Sequence, residues 1–265
     1  MTRDSLYDET IRIVDTIDRV KYPDTIHLLE GVLDSGELMN VDVCSLTAAL
    51  KKCDKPDPLP GCITDYMVEL YEIGIAEGNP DAMNDLGAMY YCGTRGFEQN
   101  YGKAVYYYEM AMENGSRQAR ENLGYCYYYG RTGEPDYEKA FYCFAPGAFE
   151  GRLVSLYKIG DMYLNGYYVQ KDEREAFALY SRCLEISDID DVMVDGPVHL
   201  RLGDLYLKGA GTDWDPEQAM YHYNLAEILL YRMVKDGDTM YMQSLRNAVE
   251  GQRQARMLLK DRLPD

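Results

Sequence analysis

The chain has 265 residues, enough for one large domain or two of ordinary size. Hydrophobic residues make up 46% of it and charged residues 27%, a balance that excludes a wholly disordered chain. Its 45 acidic and 27 basic residues give a net charge of −18, which argues against nucleic acid or an anionic membrane surface as the main partner. Tyrosine is the unusual component, since 26 tyrosines accompany only 5 phenylalanines and 1 tryptophan.

The first 62 residues carry no repeated pattern, but their hydrophobic periodicity predicts three helices, over about 4–21, 23–35 and 40–52. Three prolines between Cys53 and Cys62 forbid a continuous helix, so a domain boundary is predicted there, after an N-terminal helical region of residues 1–62. The N-terminal sequence lacks the apolar core of a signal peptide, and no apolar stretch is long enough to span a bilayer. We therefore expect a cytoplasmic protein.

Four later segments share one pattern. In each, a glycine follows leucine or isoleucine, a tyrosine comes three residues later and a second glycine six residues later. The central glycines are spaced by 37, 36 and 43 residues, and they are Gly87, Gly124, Gly160 and Gly203. A second module follows in each segment, with an alanine and, four residues on, an aromatic residue: Tyr108, Phe144, Tyr180 and Tyr223.

Each position of the pattern has a physical interpretation. A glycine inside a helix costs about 1 kcal/mol relative to alanine, so its use four times predicts that another helix passes too closely for a side chain. The outer glycine fits the left-handed position that ends a helix. The segment 215–218 predicts the start of the next helix, with Asp215 as N-cap and Gln218 placed for a capping box. Each segment is therefore predicted to be a helical hairpin that must stack on its neighbours.

This pattern resembles the Sel-one-like repeat family, relatives of the tetratricopeptide repeat, over about residues 80–234. The resemblance implies an all-α, right-handed superhelical solenoid of stacked antiparallel helix hairpins, with an N-terminal helical layer and a C-terminal capping helix. The repeat region is assigned to residues 63–236, as four repeats and a degenerate leading helix over 67–78. The cap is assigned to 237–265, with its helix over 238–262. Pro146 is expected to end or kink its helix near Ala145.

Cysteine and histidine provide no metal-site pattern. The seven cysteines include no C-x-x-C pair and the three histidines are far apart in sequence, so we expect mostly buried, reduced thiols and no metal or cofactor. A Cys53–Cys62 bridge remains a less favoured alternative. The acidic segment 187–196 lacks the spacing of a calcium loop and is interpreted as a loop extension.

Ser155 and Lys158 match the S-x-x-K motif of penicillin-binding enzymes. However, Ser155 occupies the position held by Ala82, Ala119 and Val198 in the other repeats, so a small packing residue explains it. No companion motif supplies a base or oxyanion donors. We therefore expect a protein without catalytic residues, and a hydrolase using Ser155 is only a remote alternative.

A binding surface is the better candidate. In stacked hairpins of this kind the first helices line the concave side, and positions −3, +1, +4 and +5 from the central glycine are expected to point outward. Some of these tyrosines are expected to pack between hairpins, but the rings after Cys126 cannot all lie on one buried stripe, since successive residues point about 100° apart. The predicted partner-binding groove comprises Asn84, Ala88, Tyr91, Glu121, Tyr125, Tyr128, Tyr129, Tyr157, Asp161, Leu164, Leu200, Asp204 and Leu207.

The functional hypothesis is a non-enzymatic scaffold that binds another protein or peptide, rich in basic and apolar residues, in this groove. The tyrosine rings offer large, stiff contact areas, and the acidic charge favours a basic partner. The alternative is an acidic immunity or inhibitor protein that masks a basic toxin or nuclease. Neither nucleic acid nor membrane is expected as a partner.

Overall fold

The computed structural model describes residues 3–36, 38, 41–53, 60–94, 96–187 and 192–260. Regular structure in these residues is entirely helical, with 13 α-helices and a 3₁₀ helix over Thr239–Tyr241. The predicted all-α class is therefore confirmed. None of the helices in the described ranges is long and apolar enough to cross a membrane.

The chain divides into two compact units, Met1–Pro135 (unit 1) and Asp136–Asp265 (unit 2). The helices of unit 1 are α1 Arg3–Thr16, α2 Pro23–Ser35, α3 Val43–Leu50, α4 Gly61–Ala76, α5 Pro80–Cys92, α6 Tyr101–Glu113 and α7 Arg117–Tyr128. Those of unit 2 are α8 Tyr137–Phe149, α9 Leu153–Asn165, α10 Glu173–Ile186, α11 Val192–Lys208, α12 Pro216–Lys235 and α13 Met242–Lys260. The predicted boundaries after residues 62 and 236 follow the repeat pattern and stay predictions, as does the right-handed superhelix.

The N-terminal helices and the first repeat share one hydrophobic core in unit 1. It extends from Leu6 on α1 to Leu86 and Met89 on α5. The hydroxyls of Thr10 and Tyr66 share a hydrogen bond of 2.6 Å that joins α1 to α4. The predicted N-terminal helical layer thus packs directly on the repeats that follow it in the chain.

Three helices of unit 1 differ in extent from the prediction. α3 covers only Val43–Leu50 of the predicted 40–52, because the Asp42 carboxylate caps its start by accepting a hydrogen bond from the amide of Ser45. α1 ends at Thr16, five residues early, because the Asp18 carboxylate accepts hydrogen bonds from the amides of Val20 and Lys21 and closes a turn. α4 begins at Gly61, six residues before the predicted degenerate helix, because Pro60 is extended at its N-cap and the helix starts directly after it. α2 matches its predicted range.

In three of the four repeats the helices pair as predicted, since α5 packs on α6, α9 on α10 and α11 on α12. Asp215 caps α12, and its carboxylate accepts hydrogen bonds from the amides of Glu217 and Gln218 at 2.9 and 3.1 Å. The amide of Asp215 donates to the carbonyl of Tyr206 at 3.0 Å, in place of the reciprocal capping-box bond predicted from Gln218. The outer glycines all adopt left-handed backbone, at φ of 61°, 58°, 72° and 64°: Gly93, Gly130, Gly166 and Gly209.

Three central glycines are required by an aromatic ring. A Cβ atom added to Gly160 would lie 2.7 Å from the Tyr180 ring, and the same addition to Gly87 or Gly203 would lie 2.8 Å from the ring of Tyr108 or Tyr223. The predicted close approach to these glycines is therefore present. The approaching group is the aromatic ring of one residue on the second helix, whereas the prediction was that the neighbouring helix as a whole passes too close for a side chain.

Two prolines lie inside helices, and both correct the sequence analysis. α8 continues through Pro146 to Phe149, because the proline lies in the last turn, where buried Phe144 and Gly147 hold the helix in place. α11 begins at Val192 and includes Pro197, so residues 192–196 of the predicted loop are helical. Residues 188–191 lie outside the described ranges. α13 begins at Met242, four residues later than predicted, because a 3₁₀ turn precedes it, and residues 261 and 262 lie outside the described ranges.

Candidate functional site

The residues of the predicted groove differ in exposure according to their position in the repeat. Residues at +4 are half-buried in every repeat and those at +5 are exposed in every repeat. Positions −3 and +1 are half-buried or buried. Glu121, Asp161 and Leu200 are only 3%, 2% and 1% exposed, so their prediction as outward-pointing groove residues is wrong.

Two residues at these positions, Asn84 and Asp161, contact the neighbouring first helix within their unit. In unit 1 the side-chain amide of Asn122 donates to Asn84 at 2.9 Å and joins α7 to α5. In unit 2 the Nε of Arg201 donates to Asp161 at 2.9 Å and joins α11 to α9. Leu200 packs in the core formed by α11, α12 and α13. These contacts hold successive repeats together.

A cluster of rings in unit 1, which we call the unit 1 tyrosine surface, comprises Tyr91, Tyr101, Tyr125, Tyr128 and Tyr129. The rings of Tyr125 and Tyr129 lie parallel with centroids 6.1 Å apart, and Tyr128 meets Tyr129 edge-on at 5.0 Å. Tyr129 is 45% exposed and Tyr125 and Tyr128 are half-buried, whereas Cys126 is buried. The prediction that the rings after Cys126 cannot all be buried is confirmed.

Arg131 lies among three rings of this surface. Its guanidinium carbon is 5.5, 5.3 and 5.2 Å from the ring centroids of Tyr91, Tyr101 and Tyr129, and its Nε donates to the Tyr91 hydroxyl at 3.0 Å. Burial raises the pKa of Tyr91, and the bond from Arg131 offsets part of this rise. The rings are thus arranged to hold a planar cation by cation–π contact.

Sequence reasoning missed Arg131 and Tyr101 as members of this surface. Both lie outside the first helices on which the predicted groove was built, Tyr101 at the start of α6 and Arg131 directly after Gly130. The available signal was the residue after the outer glycine, which is arginine in this repeat alone.

In unit 2 the corresponding region contains a buried charge cluster. The Asp161 carboxylate accepts hydrogen bonds from the Tyr180 hydroxyl at 2.8 Å and from Arg201 at 2.9 Å, and Lys158 Nζ lies 3.4 Å away. Burial opposes the charge of Asp161, but Arg201 and Lys158 outweigh it, and the pKa of Asp161 is lowered. The Lys158 ammonium also lies 4.5 Å from the Tyr157 ring centroid. Asp161 and Tyr157 therefore stabilise buried cations in the fold.

The remaining predicted groove residues of unit 2 are half-buried. Leu164 packs at the edge of the core that α9, α10 and α11 share, and Leu207 at the edge of the core that includes α12 and α13. The Asp204 carboxylate accepts a hydrogen bond from the Tyr223 hydroxyl at 2.7 Å.

The S-x-x-K motif is buried in the helix packing. Ser155 is fully buried, as are Ala82, Ala119 and Val198 at the same position of the other repeats. Lys158 is buried with it and pairs with Asp161. A substrate would have no access to this serine, so the packing interpretation accounts for it.

Cysteines and histidines are arranged as follows. None of the seven cysteines forms a disulfide bond, so the Cys53–Cys62 bridge is absent, and three of the seven are buried. The Nδ1 atoms of His199 and His222 are 2.8 Å apart, and burial lowers the pKa of each to about 4. The ranges described contain no group of three or more His, Cys, Asp or Glu side chains that could hold a metal ion.

Comparison with known proteins supports the repeat assignment. The Sel1 repeat family matches residues 80–116, 117–148, 153–182 and 198–227. A search of the curated proteins finds no match.

Two solved structures have a similar fold. One is c5321, a protective antigen of uropathogenic Escherichia coli with an SLR fold, at a TM-score of 0.63 and 23% identity over 87% of this chain and 47% of the antigen. This chain spans about half the length of that antigen. The other is a Sel1 repeat protein from Oxalobacter formigenes, at a TM-score of 0.55 and 21% identity over 88% of this chain and 96% of the other. The four matched repeats and the shared fold show that the chain belongs to the Sel1-like repeat proteins.

Proposed function

We propose that this protein is a non-enzymatic binding protein that holds a segment of another protein against the unit 1 tyrosine surface. Sel1 repeat proteins generally mediate protein–protein interaction. The observation that carries the proposal is the contiguous set of partly exposed rings on Tyr125, Tyr128 and Tyr129. Tyrosine combines a stiff apolar ring with a polar tip, and rings of this kind dominate many binding surfaces.

The partner segment is proposed to contain basic and apolar residues. Arg131 supports this choice, because three tyrosine rings of the surface already hold a guanidinium by cation–π contact. The net charge of −18 favours association with a positively charged segment and makes the association rate depend on salt.

Affinity capture of proteins from the native host tests this proposal. The double variant Tyr125→Ser, Tyr129→Ser is expected to recover its specific partner at least about ten-fold less well than the wild type, because each ring acts as an anchor. The control is Tyr106→Ser, which alters a comparably exposed tyrosine on α6. Recovery is also expected to fall at high salt. Equal recovery by the double variant and the control would contradict the proposal.

The acidic inhibitor of a basic toxin or nuclease remains the second candidate, because the charge of −18 favours it. Asp161 is buried and cannot contact such a partner, which leaves Asp204 and the exposed carboxylates. Protection from a basic toxin in a co-expression assay would support this candidate under two conditions. The protection should be lost when exposed carboxylates are neutralised, and it should persist in the double variant Tyr125→Ser, Tyr129→Ser.

We also propose that the protein has no catalytic role and works in the cytoplasm. Burial of Ser155 supports the first statement. The lack of disulfide bonds among the seven cysteines supports the second, because reduced thiols are typical of a reducing compartment.

A further inference from the structure

Tyr168, in the turn between α9 and α10, has an unusual backbone. Its φ of 65° makes it the one non-glycine residue in the left-handed region among the residues with described placement. A side chain with a Cβ is disfavoured in this region, and a bulky aromatic residue is a clear exception. Residues held in such conformations cluster at functional sites.

The next repeat shows that a glycine can fill the same position. The turns 166–172 and 209–215 have equal length. Each makes the same two backbone hydrogen bonds back to its first helix, at 2.9 and 3.0 Å in the earlier turn and at 3.0 Å twice in the later one. Gly211 stands where the earlier turn has Tyr168, and its φ is 72°. The backbone of this turn therefore does not require tyrosine.

The Tyr168 ring lies at the surface beside Tyr142 of α8. The two residues are 48% and 62% exposed, their ring centroids are 5.9 Å apart and their hydroxyls share a hydrogen bond of 3.1 Å. The Tyr168 hydroxyl also donates to Glu138 Oε1 at 3.3 Å. The bond with Tyr142 raises the pKa of Tyr168 to about 12. Phe141 supports the Tyr168 ring from 5.4 Å.

These two rings carry no cation from the described parts of the chain. Lysine or arginine lies over the rings of Tyr90 and Tyr91 in unit 1, but no such contact involves Tyr142 or Tyr168 there. Glu138 likewise forms no ion pair with a described residue. Two exposed ring faces and a carboxylate are together the chemistry that recognises an ammonium or guanidinium group.

We propose that Tyr142, Tyr168 and Glu138 form a platform that binds a lysine or arginine side chain of the protein partner. This inference rests on the proposed function, because it assigns a second contact to the same basic segment or to another part of the same partner. It also explains why a tyrosine is retained in a turn whose backbone favours glycine.

An NMR titration with short peptides tests the platform. The probes are N-acetyl-Gly-Arg-Gly-amide and the same tripeptide with uncharged norleucine in place of arginine. We expect a saturable ring-current shift of the arginine side-chain protons and none for norleucine. Tyr168→Gly and Tyr142→Ala should each weaken binding of the arginine peptide about five-fold, because one cation–π contact is lost. Tyr231→Ala, which removes a comparably exposed ring from α12, should leave binding unchanged.

Equal shifts from the two peptides, or unchanged binding by Tyr168→Gly, would overturn the inference. Thermal unfolding of Tyr168→Gly supplies a second readout. We expect an unchanged or higher midpoint, because glycine relieves the left-handed backbone. A midpoint lower by more than about 3 °C would show that Tyr168 is retained for packing and would also overturn the inference.

The outcome separates this inference from the proposed function. If the arginine peptide fails to bind while partner capture still depends on Tyr125 and Tyr129, only the platform is refuted. If capture does not depend on those rings, the proposed function is refuted.

Discussion

Replacing Asp161 with asparagine should destabilise the protein strongly, because the carboxylate balances two cations in a buried cluster. It lies 2.9 Å from Arg201 and 3.4 Å from Lys158, and the side chains of Asp161 and Lys158 are each 3% exposed. Removing one partner of a buried ion pair typically costs about 3–5 kcal/mol, because the remaining charge is left unbalanced. We expect Asp161→Asn to lower the free energy of unfolding by this amount. Most of the loss should come from the unbalanced charge of Lys158, since Arg201 has more access to water.

Asp204 provides a matched control in the next repeat. Its carboxylate accepts a hydrogen bond from Tyr223 at 2.7 Å, as Asp161 does from Tyr180, but it forms no ion pair with a described residue. Asp204→Asn is therefore expected to cost only about 1 kcal/mol. Free energies of unfolding are measured by urea denaturation followed by circular dichroism. An equal decrease in the free energy of unfolding of the two variants would show that Asp161 does not stabilise a buried charge cluster.

Two further stability predictions concern Gly160 and the histidine pair. Gly160→Ala should lower the free energy of unfolding by about 1–3 kcal/mol, because the new Cβ would lie 2.7 Å from the Tyr180 ring. Gly133→Ala, with no atom within 4 Å of its Cβ, should change it by less than about 0.5 kcal/mol in the same urea assay. A loss for Gly160→Ala no greater than that of Gly133→Ala would contradict this prediction. Burial lowers the pKa of His199 and His222 from 6.5 to about 4, so the unfolded chain takes up protons in this pH range that the folded protein does not. Stability should therefore fall as the pH drops below 6.5, by roughly 1–2 kcal/mol for each histidine at pH 5. In His222→Gln the free energy of unfolding, measured by urea titration, should fall less between pH 7 and pH 5 than in the wild type. A pH dependence identical to that of the wild type would contradict this prediction.

The helical hairpins were predictable because their signals are local in the chain. Asp215 caps α12 through amides two and three residues away, and Gly166 ends α9 with its own left-handed backbone. The end of α1 was mispredicted because the hydrophobic periodicity continues past Thr16, while the Asp18 side chain closes a turn there. The start of α11 was missed because the acidic segment 187–196 was interpreted as a loop extension, whereas α11 begins at Val192 and continues through Pro197.

The candidate site was only partly predictable because burial depends on neighbours distant in sequence. Helix geometry alone predicts that at least one ring after Cys126 reaches the surface, and Tyr129 does so. Asp161, however, is buried by pairing with Arg201, 40 residues later, and Arg131 is held by Tyr91, 40 residues earlier. One repeat unit cannot reveal either contact, because each involves a different residue type in the next repeat.

Photo-crosslinking in the native host tests whether another protein docks on the unit 1 tyrosine surface. Benzoylphenylalanine is introduced at position 129 in one variant and, as a control, at position 106 in another, two exposed sites within unit 1. We expect irradiation to give a discrete covalent adduct with one protein at position 129 and not at position 106. An adduct at position 106 alone, or none at position 129, would contradict it.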